Sequence, residues 1–384
     1  MIVIADDITG AAEMAGIAFS QGQQVRLVCG GVAGGFGTAR YGTTVIATDT
    51  RSMSEAEAVA ETHRITSAIS HHLSAIFKKT DSALRGHVVA ELTALMEATG
   101  YQRAIYLPAN PSKGRVIKIG TYYINNVPIH ETAFSYDPEF PAKTSVLRER
   151  FPDAESKGII MPDAENEADI QKVIAKYNDG NTLFAGAADL FSALLGHSRE
   201  TRNTGETRDT RVSNSPSTLI LCGSTLSKPL DLGIPIAPMP LEIYDGSNDL
   251  SLWDTSADQE KHSLILTMSY THRMGKEAAV HLRSIMAQKA KELITEYLLP
   301  TLDREGSGEG LHLIIEGGAT AWATLQALGW TQFEITAQIA PGVVQMSATI
   351  ACHTSTSESK KHVIVTLKPG SYPWGNLFSS STNT

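Results

Sequence analysis

The chain has 384 residues, of which 42% are hydrophobic and 19% are charged, with 31 Gly and 16 Pro. At about 100–200 residues per domain, this length favours two or three domains, and the composition excludes a collagen-like, disulfide-dense or wholly disordered chain. The net charge of −9 argues against a nucleic-acid partner, whose binding surface would be basic. It leaves room for a local basic pocket that binds a small anion.

Three features of the sequence concern the cellular compartment. Cys29, Cys222 and Cys352 are odd in number and widely spaced, so no disulfide framework or CxxC metal site is indicated. The opening MIVIADDITG has no basic n-region and does not resemble a secretory signal. No apolar run approaches the roughly 18–20 residues of a membrane span. We therefore expect a cytoplasmic protein without a membrane partner, and the sequence leaves open whether it forms a homo-oligomer.

The first half of the chain alternates between short apolar runs and helical stretches. The predicted strands are Met1 to Ala5, Val25 to Cys29, Thr44 to Thr48, Ala75 to Phe77 and Ala104 to Leu107. The predicted helices are Gly10 to Gln21, a helix from the S-x-x-E capping box of Ser54 and Glu57 to about Ser70, and Val88 to Thr99. This alternation predicts a parallel β-sheet flanked by helices.

The pattern changes between Gly120 and Pro141. The segment TYYINNVPIHET alternates in polarity around Asn125 and Asn126, which predicts a hairpin inserted into the α/β fold. Strand and helix alternate again afterwards, with strands at Gly158 to Met161 and Thr182 to Ala185 and a helix at Ala168 to Tyr177.

Residues His197 to Ser217 contain almost no apolar side chains, and acids alternate with their arginines, so we predict a solvated linker. Further strands are predicted at Thr218 to Cys222, Ser263 to Met268, Leu311 to Ile315 and His362 to Leu367, with helices at Lys276 to Tyr297 and after Thr320. The sequence thus predicts two α/β domains, residues 1–212 and 213–384. Their sheets would be mostly parallel and flanked by helices, with the active site in the interdomain cleft.

Ligands of open α/β sheets bind at the carboxyl ends of the strands, and three strand ends of the first domain carry polar residues. These are Asp6 and Asp7, then Asp49, Arg51 and Ser52, then Lys78, Lys79, Thr80, Asp81, Ser82 and Arg85. Arginine clamps a carboxylate with two donors and lysine supplies a point charge, which suits a small hydroxylated anion such as a sugar acid. Singly, such an aspartate is more often a helix cap and such an arginine a surface charge. Their coincidence favours a binding site.

The second domain carries a strand–Gly-Gly–helix junction. Glu316, Gly317, Gly318, Ala319 and Thr320 follow its predicted strand, where glycines and a helix N-terminus would suit a phosphate. Cys222-Gly223-Ser224-Thr225 and Lys368-Pro369-Gly370-Ser371 follow two other strands in the same way. A tight turn explains each motif equally well, and neither a Walker A sequence nor a G-x-G-x-x-G after a strand is present.

Several of these segments together resemble the four-carbon acid sugar kinase family, once catalogued as a domain of unknown function. MIVIADDITGAAEMAG is similar to its ADDxTGAxxxA opening, and KKTDSALRGHVVAEL to its K-x-D-S-x-L-R-G segment. GGATAWATLQALGW, the Pro341-Gly342-Val343 tripeptide and LKPGSY resemble its C-terminal GG[DE]T, PGVP and K-S-G elements. The resemblance follows the same order along nearly the whole chain.

The resemblance implies an ATP-dependent kinase that acts, with Mg²⁺, on acids such as threonate, erythronate or an oxo-tetronate. It implies that the N-terminal domain binds the sugar acid and the C-terminal domain binds ATP. The sugar-acid residues it implies are Asp6, Asp7, Arg51, Lys79, Thr80, Asp81, Ser82 and Arg85. The ATP residues it implies are Ser224, Gly317, Gly318, Ala319, Thr320 and Gly370.

Phosphoryl transfer needs a carboxylate that accepts the hydroxyl proton. We expect Asp81 in that role, since Lys79 and Arg85 flank it and Ser82 can orient a hydroxyl, with Asp7 as second choice. No metal-spaced cluster of His, Cys, Asp or Glu appears, so the metal ligands stay unassigned.

Two alternatives remain open. An NAD-dependent sugar-acid dehydrogenase would be a two-domain α/β protein, but it would carry the Rossmann fingerprint that this sequence lacks. A sugar-acid or nucleotide-binding protein with little or no turnover is kept open by two departures from the family pattern. Ala319 stands where the family usually has an acid, and Pro369 where it usually has serine.

Overall fold

The structure is a computed structural model that describes residues 1–30, 41–69, 75–137, 139–197, 217–224, 230, 232–255, 263–268, 275–299, 310–353, 358–370 and 372–378. The chain divides into two compact units, Met1–Glu206 and Thr207–Thr384. The predicted linker, apart from its end residues His197 and Ser217, lies outside the described residues, as does the predicted boundary between residues 212 and 213.

Strands of the first unit follow the predicted order along the chain. They are β1 (Ile2–Ala5), β2 (Val25–Cys29), β3 (Thr43–Ala47), β4 (Ile76–Lys79), β5 (Arg103–Leu107), β6 (Arg115–Lys118), β7 (Thr121–Ile124), β8 (Val127–Pro128), β9 (Ile159–Ile160) and β10 (Thr182–Gly186). All but β6, β7 and β8 form a parallel sheet in the order β2-β3-β1-β4-β10-β5-β9. The predicted α/β class is confirmed.

The helices of the first unit connect these strands. They are α1 (Ile8–Ser20), α2 (Glu55–Ile69), α3 (Val88–Thr99), α4 (Leu147–Arg150), α5 (Glu167–Tyr177) and α6 (Ala188–His197). The capping box is present, because Glu57 Oε2 accepts from the Ser54 N–H at 2.9 Å and the Glu57 N–H donates to Ser54 Oγ at 3.4 Å. Continuous apolar runs such as β1, buried at every position, are typical of parallel strands covered on both faces.

The predicted hairpin is the β7–β8 pair, to which β6 adds a third antiparallel strand. Asn125 and Asn126 form its turn with positive φ values of 50° and 65°. A two-residue turn with both central residues at positive φ matches the twist of an antiparallel pair, and asparagine tolerates that conformation. This small sheet follows β5 in the chain, and β5 lies next to the edge strand β9 of the parallel sheet.

The second unit contains a parallel sheet with an antiparallel extension. Its strands are β11 (Ser217–Cys222), β12 (Ile236–Pro238), β13 (Ser263–Thr267), β14 (Leu311–Glu316), β15 (Gln332–Ala340), β16 (Val343–His353) and β17 (Glu358–Lys368). The order is β12-β13-β11-β14-β17-β16-β15, parallel through β17 and antiparallel beyond it. Its helices are α7 (Leu241–Tyr244), α8 (Lys276–Glu292), which continues into a π-helical segment at Leu293–Leu298, and α9 (Gly318–Leu328).

The sequence pattern predicts no strand over residues 332–353, and β17 begins at Glu358 rather than at the predicted His362. The early residues of β17 pair only with β16, while Val363 is the first to pair with β14. Antiparallel partners that follow each other closely along the chain do not need a helical crossover. The strand–helix rhythm therefore could not indicate them. Across the described ranges, no helix combines the length and the apolarity needed to cross a membrane.

Candidate active site

The three polar strand ends of the first unit are neighbours, because β3, β1 and β4 lie side by side and run parallel. Asp6 and Asp7 follow β1, Arg51 lies beyond the end of β3, and Asp81 follows β4 by two residues. Lys78 is different, because alternate strand residues point to opposite faces. It forms a buried ion pair with Glu91 of α3 at 2.5 Å, so it belongs to the packing of that helix.

Arg51 lies at the centre of three aspartates. Its Nε donates to Asp6 Oδ2 and its Nη2 to Asp6 Oδ1, both at 2.9 Å. Its Nη2 is also 3.0 Å from Asp7 Oδ1, and its Nη1 is 3.6 Å from Asp81 Oδ1. Burial alone would lower the pKa of Arg51, but these carboxylates raise it well above its ordinary value. The guanidinium fork is thus held by Asp6, and Arg51 fixes the relative positions of the carboxylates.

Both carboxylate oxygens of Asp81 accept hydrogen bonds, four in total. Arg85 donates from Nε to Oδ2 at 2.9 Å and from Nη2 to Oδ1 at 3.0 Å. The backbone N–H groups of Ala83 and Arg85 donate to Oδ2 as well, at 2.9 and 3.3 Å. Burial alone would raise the pKa of Asp81, but Arg51, Arg85 and Lys79 outweigh it and hold the pKa well below its ordinary value of 3.8. Asp81 is therefore a fixed negative charge of low basicity.

Asp7 caps α1 and keeps more access to solvent. Its Oδ1 accepts from the Gly10 N–H at 2.9 Å, and its Oδ2 accepts from the Thr9 hydroxyl. Its side chain is 18% exposed, against 11% for Asp81 and 3% for Asp6. Burial would raise the pKa of Asp7, but Arg51 and Lys79 lower it below 3.8. Burial does raise the pKa of Asp6, although Arg51 opposes the shift.

Lys79, Thr80 and Ser82 surround these carboxylates. Lys79 Nζ donates to the Thr80 carbonyl at 2.7 Å and lies 3.9 Å from Glu13 Oε2 on α1. Thr80 is 2% exposed, and its Oγ1 has no hydrogen-bond partner among the residues that the structure describes. Ser82 Oγ accepts from Arg115. Every predicted sugar-acid residue thus lies in this network or directly beside it.

The antiparallel insertion contributes residues that the sequence analysis missed. Arg115, the first residue of β6, reaches Ser82, and Asp137 Oδ2 accepts from Arg85 Nη1 at 3.4 Å. The guanidinium carbons of Arg115 and Arg85 lie 5.9 and 5.8 Å from the centroid of the Phe134 ring. The sequence did predict an insertion here. Only the fold shows that it contacts the loop after β4, because Arg115 and Ser82 are 33 positions apart in the sequence.

The predicted nucleotide residues of the second unit also converge, because β11, β14 and β17 are parallel neighbours. A Cβ added at Gly370 would lie 2.2 Å from Ser224 Oγ, and one added at Gly223 would lie 2.0 Å from Thr320 Oγ1. Gly317 adopts φ +98° between β14 and α9, a conformation that favours glycine. The strand ends therefore meet in a junction lined by backbone and small side chains, where a phosphate could approach main-chain N–H groups.

Glu316 at the end of β14 and Lys368 at the end of β17 form a buried ion pair next to this junction. Lys368 Nζ donates to Glu316 Oε1, and both side chains are 2–3% exposed. Lys368 Nζ also donates to the carbonyls of Pro369 and Gly370, each at 3.2 Å, and lies 4.7 Å from the centroid of the Trp374 ring. Lys368 thus holds the turn after β17 through the two carbonyls to which it donates.

In the described part of the chain, no group of three or more His, Cys, Asp or Glu side chains could hold a metal ion. Mg²⁺ is usually held by one or two carboxylates together with substrate phosphates and water. One or two carboxylates of the chain would therefore be enough to hold an ion that arrives bound to a nucleotide.

Comparisons with known proteins find similar sequences along the first unit and, at lower identity, along most of the chain. Residues 1–157 match the family model of a sugar-binding N-terminal domain. D-threonate kinase from Salmonella typhimurium is 30% identical over 225 residues, which are 50% of this chain and 53% of that kinase. The aligned part thus spans about half the length of that relative. A 3-oxo-tetronate kinase from Brucella melitensis is 24% identical and is aligned over 89% of this chain and 88% of its own.

The fold is also found among solved structures. A Haemophilus influenzae protein of the family DUF1537 superimposes with a TM-score of 0.68 over 98% of both chains, at 18% identity. This likeness shows a shared fold, and the family model and the curated relatives confirm the resemblance that the sequence motifs indicated.

Proposed function

We propose that the chain is a member of the four-carbon acid sugar kinase family and that it transfers the γ-phosphoryl group of ATP to a hydroxyl of a four-carbon sugar acid. Threonate, erythronate and oxo-tetronates are the candidate substrates, since the relatives are kinases named for D-threonate, D-erythronate and 3-oxo-tetronate. The observation that carries the proposal is the cluster of Asp6, Asp7 and Asp81 around Arg51, inside the region that matches a sugar-binding domain. The cytoplasmic location and the cleft between the two domains stay predictions.

The carboxylates and hydroxyls of the first unit suit a polyol substrate. Carboxylate oxygens accept hydrogen bonds from sugar hydroxyls, and Ser82 and the buried Thr80 hydroxyl add donors of their own. A buried hydroxyl without a partner costs roughly 1–3 kcal/mol, so a substrate that reaches Thr80 Oγ1 would recover that loss.

We infer that Asp7 is the stronger candidate for the general base. Asp81 has both oxygens occupied by Arg85, whereas one oxygen of Asp7 is held only by a rotatable threonine hydroxyl. Because Asp7 is also the more exposed of the two, a substrate hydroxyl can reach it with less rearrangement. The sequence favours Asp81, and variants of both residues decide between them.

ATP would be held by the junction of the second unit. The backbone N–H groups of Gly318, Ala319 and Thr320, with Ser224 and Gly370 opposite, would contact its phosphates. The Gly317 N–H already donates to the Lys368 carbonyl at 2.9 Å, so Gly317 would contribute its positive φ rather than a donor. The missing acidic side chain at Ala319 leaves these main-chain donors in place. Mg²⁺ bound together with ATP would neutralise negative charge on its phosphates.

A coupled ADP-release assay on a panel of four-carbon sugar acids tests the proposal. We expect ADP release that depends on one of these acids. Acid-dependent reduction of NAD without ADP release would indicate a dehydrogenase, and tight binding of acid and ATP without either would indicate a binding protein.

Replacement of Gly318 by Val is expected to weaken ATP binding about 10- to 100-fold, because a charge-assisted hydrogen bond is worth about 1.5–3 kcal/mol and the side chain blocks approach to the helix N-terminus. Sugar-acid binding should not change. Isothermal titration with each ligand measures both. Gly310→Val is the control, at the opposite end of β14, where an added Cβ would lie 3.6 Å from the His362 carbonyl. Equal loss of both ligands would show that Gly318→Val disrupts the fold instead.

A further inference from the structure

The cations of the sugar-acid site differ in how far their charge is compensated. Arg51 contacts three aspartates, Arg85 contacts Asp81 and Asp137, and Lys79 lies 3.9 Å from Glu13. Arg115 also reaches into this network, but it forms no ion pair with any carboxylate among the residues that the structure describes. Its positive charge is therefore the uncompensated one of the four.

Arg115 is held in place without losing that charge. Its backbone pairs with Asn110 through two hydrogen bonds of 2.7 and 3.1 Å, which anchor the start of β6. Its Nη1 donates to Ser82 Oγ, and its guanidinium carbon lies 5.9 Å from the Phe134 ring centroid. The side chain is half-buried, so the remaining guanidinium donors can meet a ligand. A planar guanidinium fixed in this way is preorganised for a carboxylate.

An anionic substrate would be repelled by the carboxylates that suit its hydroxyls. Asp6, Asp7 and Asp81 carry negative charge, and the charge of Arg51 is already shared among them. A sugar acid would therefore bind only where another cation offsets its own carboxylate. Arg115 meets that need at the edge of the cluster, next to the Ser82 hydroxyl.

We propose that Arg115 is the residue that binds the carboxylate of the sugar acid and selects acids over neutral polyols. The proposal rests on the proposed function and deepens it, because it assigns the two ends of the substrate. The carboxylate lies against Arg115 and Ser82, and the hydroxyls face the aspartates. The antiparallel insertion thereby becomes the element that determines the substrate class.

The test compares Arg115→Met with the wild-type chain by calorimetric titration of the best acid from the panel, in the absence of ATP. Loss of a charge-assisted hydrogen-bonded pair should weaken binding of the acid about 10- to 100-fold. The amide of the same acid, which lacks the charge, should bind both proteins within about twofold of each other. Arg115→Lys keeps the charge without the fork, so its affinity for the acid should lie between the two.

Two matched variants separate the charge from its surroundings. Ser82→Ala removes the hydrogen bond to Arg115 but keeps the guanidinium, so its loss of acid affinity should be much smaller. Lys118→Met removes a positive charge from the same strand, where Lys118 is exposed and lies 3.4 Å from Glu165, and should bind the acid normally.

Three results would overturn the assignment to Arg115: unchanged acid binding by both Arg115 variants, equal losses for the acid and its amide, or equal losses in Ser82→Ala and Arg115→Met. Because binding is measured without ATP, a wild-type chain that binds the acid but releases no ADP contradicts only the kinase proposal.

Discussion

Asp7→Asn is expected to lower kcat by about 10²–10⁴-fold, the usual contribution of a general base, with little change in sugar-acid binding. Asparagine is also a good N-cap and can still accept from the Gly10 N–H, so α1 should start as before. The variant thus removes the proton acceptor and keeps the local fold. Steady-state kinetics with the best acid, together with a thermal melt, separate the two effects.

Asp81→Asn is the companion variant, and its expected effect is different. Arg85 would keep Asp137 but lose the charge of the carboxylate that its fork contacts, and Arg51 would lose part of its compensation. We expect a lower melting temperature and a higher KM, with a smaller loss of kcat than in Asp7→Asn. If instead Asp81→Asn abolishes turnover while Asp7→Asn is nearly normal, the base is Asp81, as the sequence predicts. If neither changes kcat, the base lies elsewhere.

The pH profile gives a second measure of the same group. Arg51 and Lys79 lower the pKa of Asp7 below 3.8, so the folded protein holds it ionised at neutral pH. A base with a lowered pKa loses its proton-accepting form only as the pH falls through that value. The acid limb of the kcat profile should therefore lie below about pH 4, provided that the fold survives.

Much of the first unit follows from local sequence patterns. The strand β2 and the helix α3 have the predicted bounds, and the capping box at Ser54 and the Asn125-Asn126 turn form the contacts that such residues form elsewhere. These signals are local, since a cap or a two-residue turn involves residues at most a few positions apart. The parallel pairing of the strands follows from the strand–helix alternation, whereas their order in the sheet is seen only in the fold.

The candidate site was only partly predictable, because its contacts join residues that lie far apart in the sequence. The motifs indicate which strand ends carry polar residues, but not which charges compensate one another. Arg51 looks like a free clamp in the sequence, yet its fork is held by Asp6, 45 positions away. Arg115 looks like an ordinary strand residue, and only its contact with Ser82 brings it into the site. Pairing over such distances depends on the tertiary fold.

Lys368→Met is expected to destabilise the second unit by about 3–5 kcal/mol, because it leaves Glu316 as a buried charge without a partner. The carbonyls of Pro369 and Gly370 would also lose the donor that holds the turn. For a unit of this size, a loss of about 3–5 kcal/mol lowers the melting temperature by roughly 6–20 °C. Tryptophan fluorescence can follow this unit selectively, because the chain's 4 tryptophans all lie within it: Trp253, Trp322, Trp330 and Trp374.

The double variant Glu316→Gln/Lys368→Met tests the cause of that loss. Removal of the second charge should recover a large part of the stability, because a neutral amide is far cheaper to bury than an unpaired carboxylate. Lys172→Met is the control, since Lys172 is 77% exposed and its pair with Asp169 should contribute no more than about 1 kcal/mol. If the double variant is as unstable as Lys368→Met, Lys368 stabilises the unit through the turn carbonyls or the Trp374 contact and not through the ion pair. ATP affinity should then fall in both variants alike, because the strand end that faces Ser224 would lose its support.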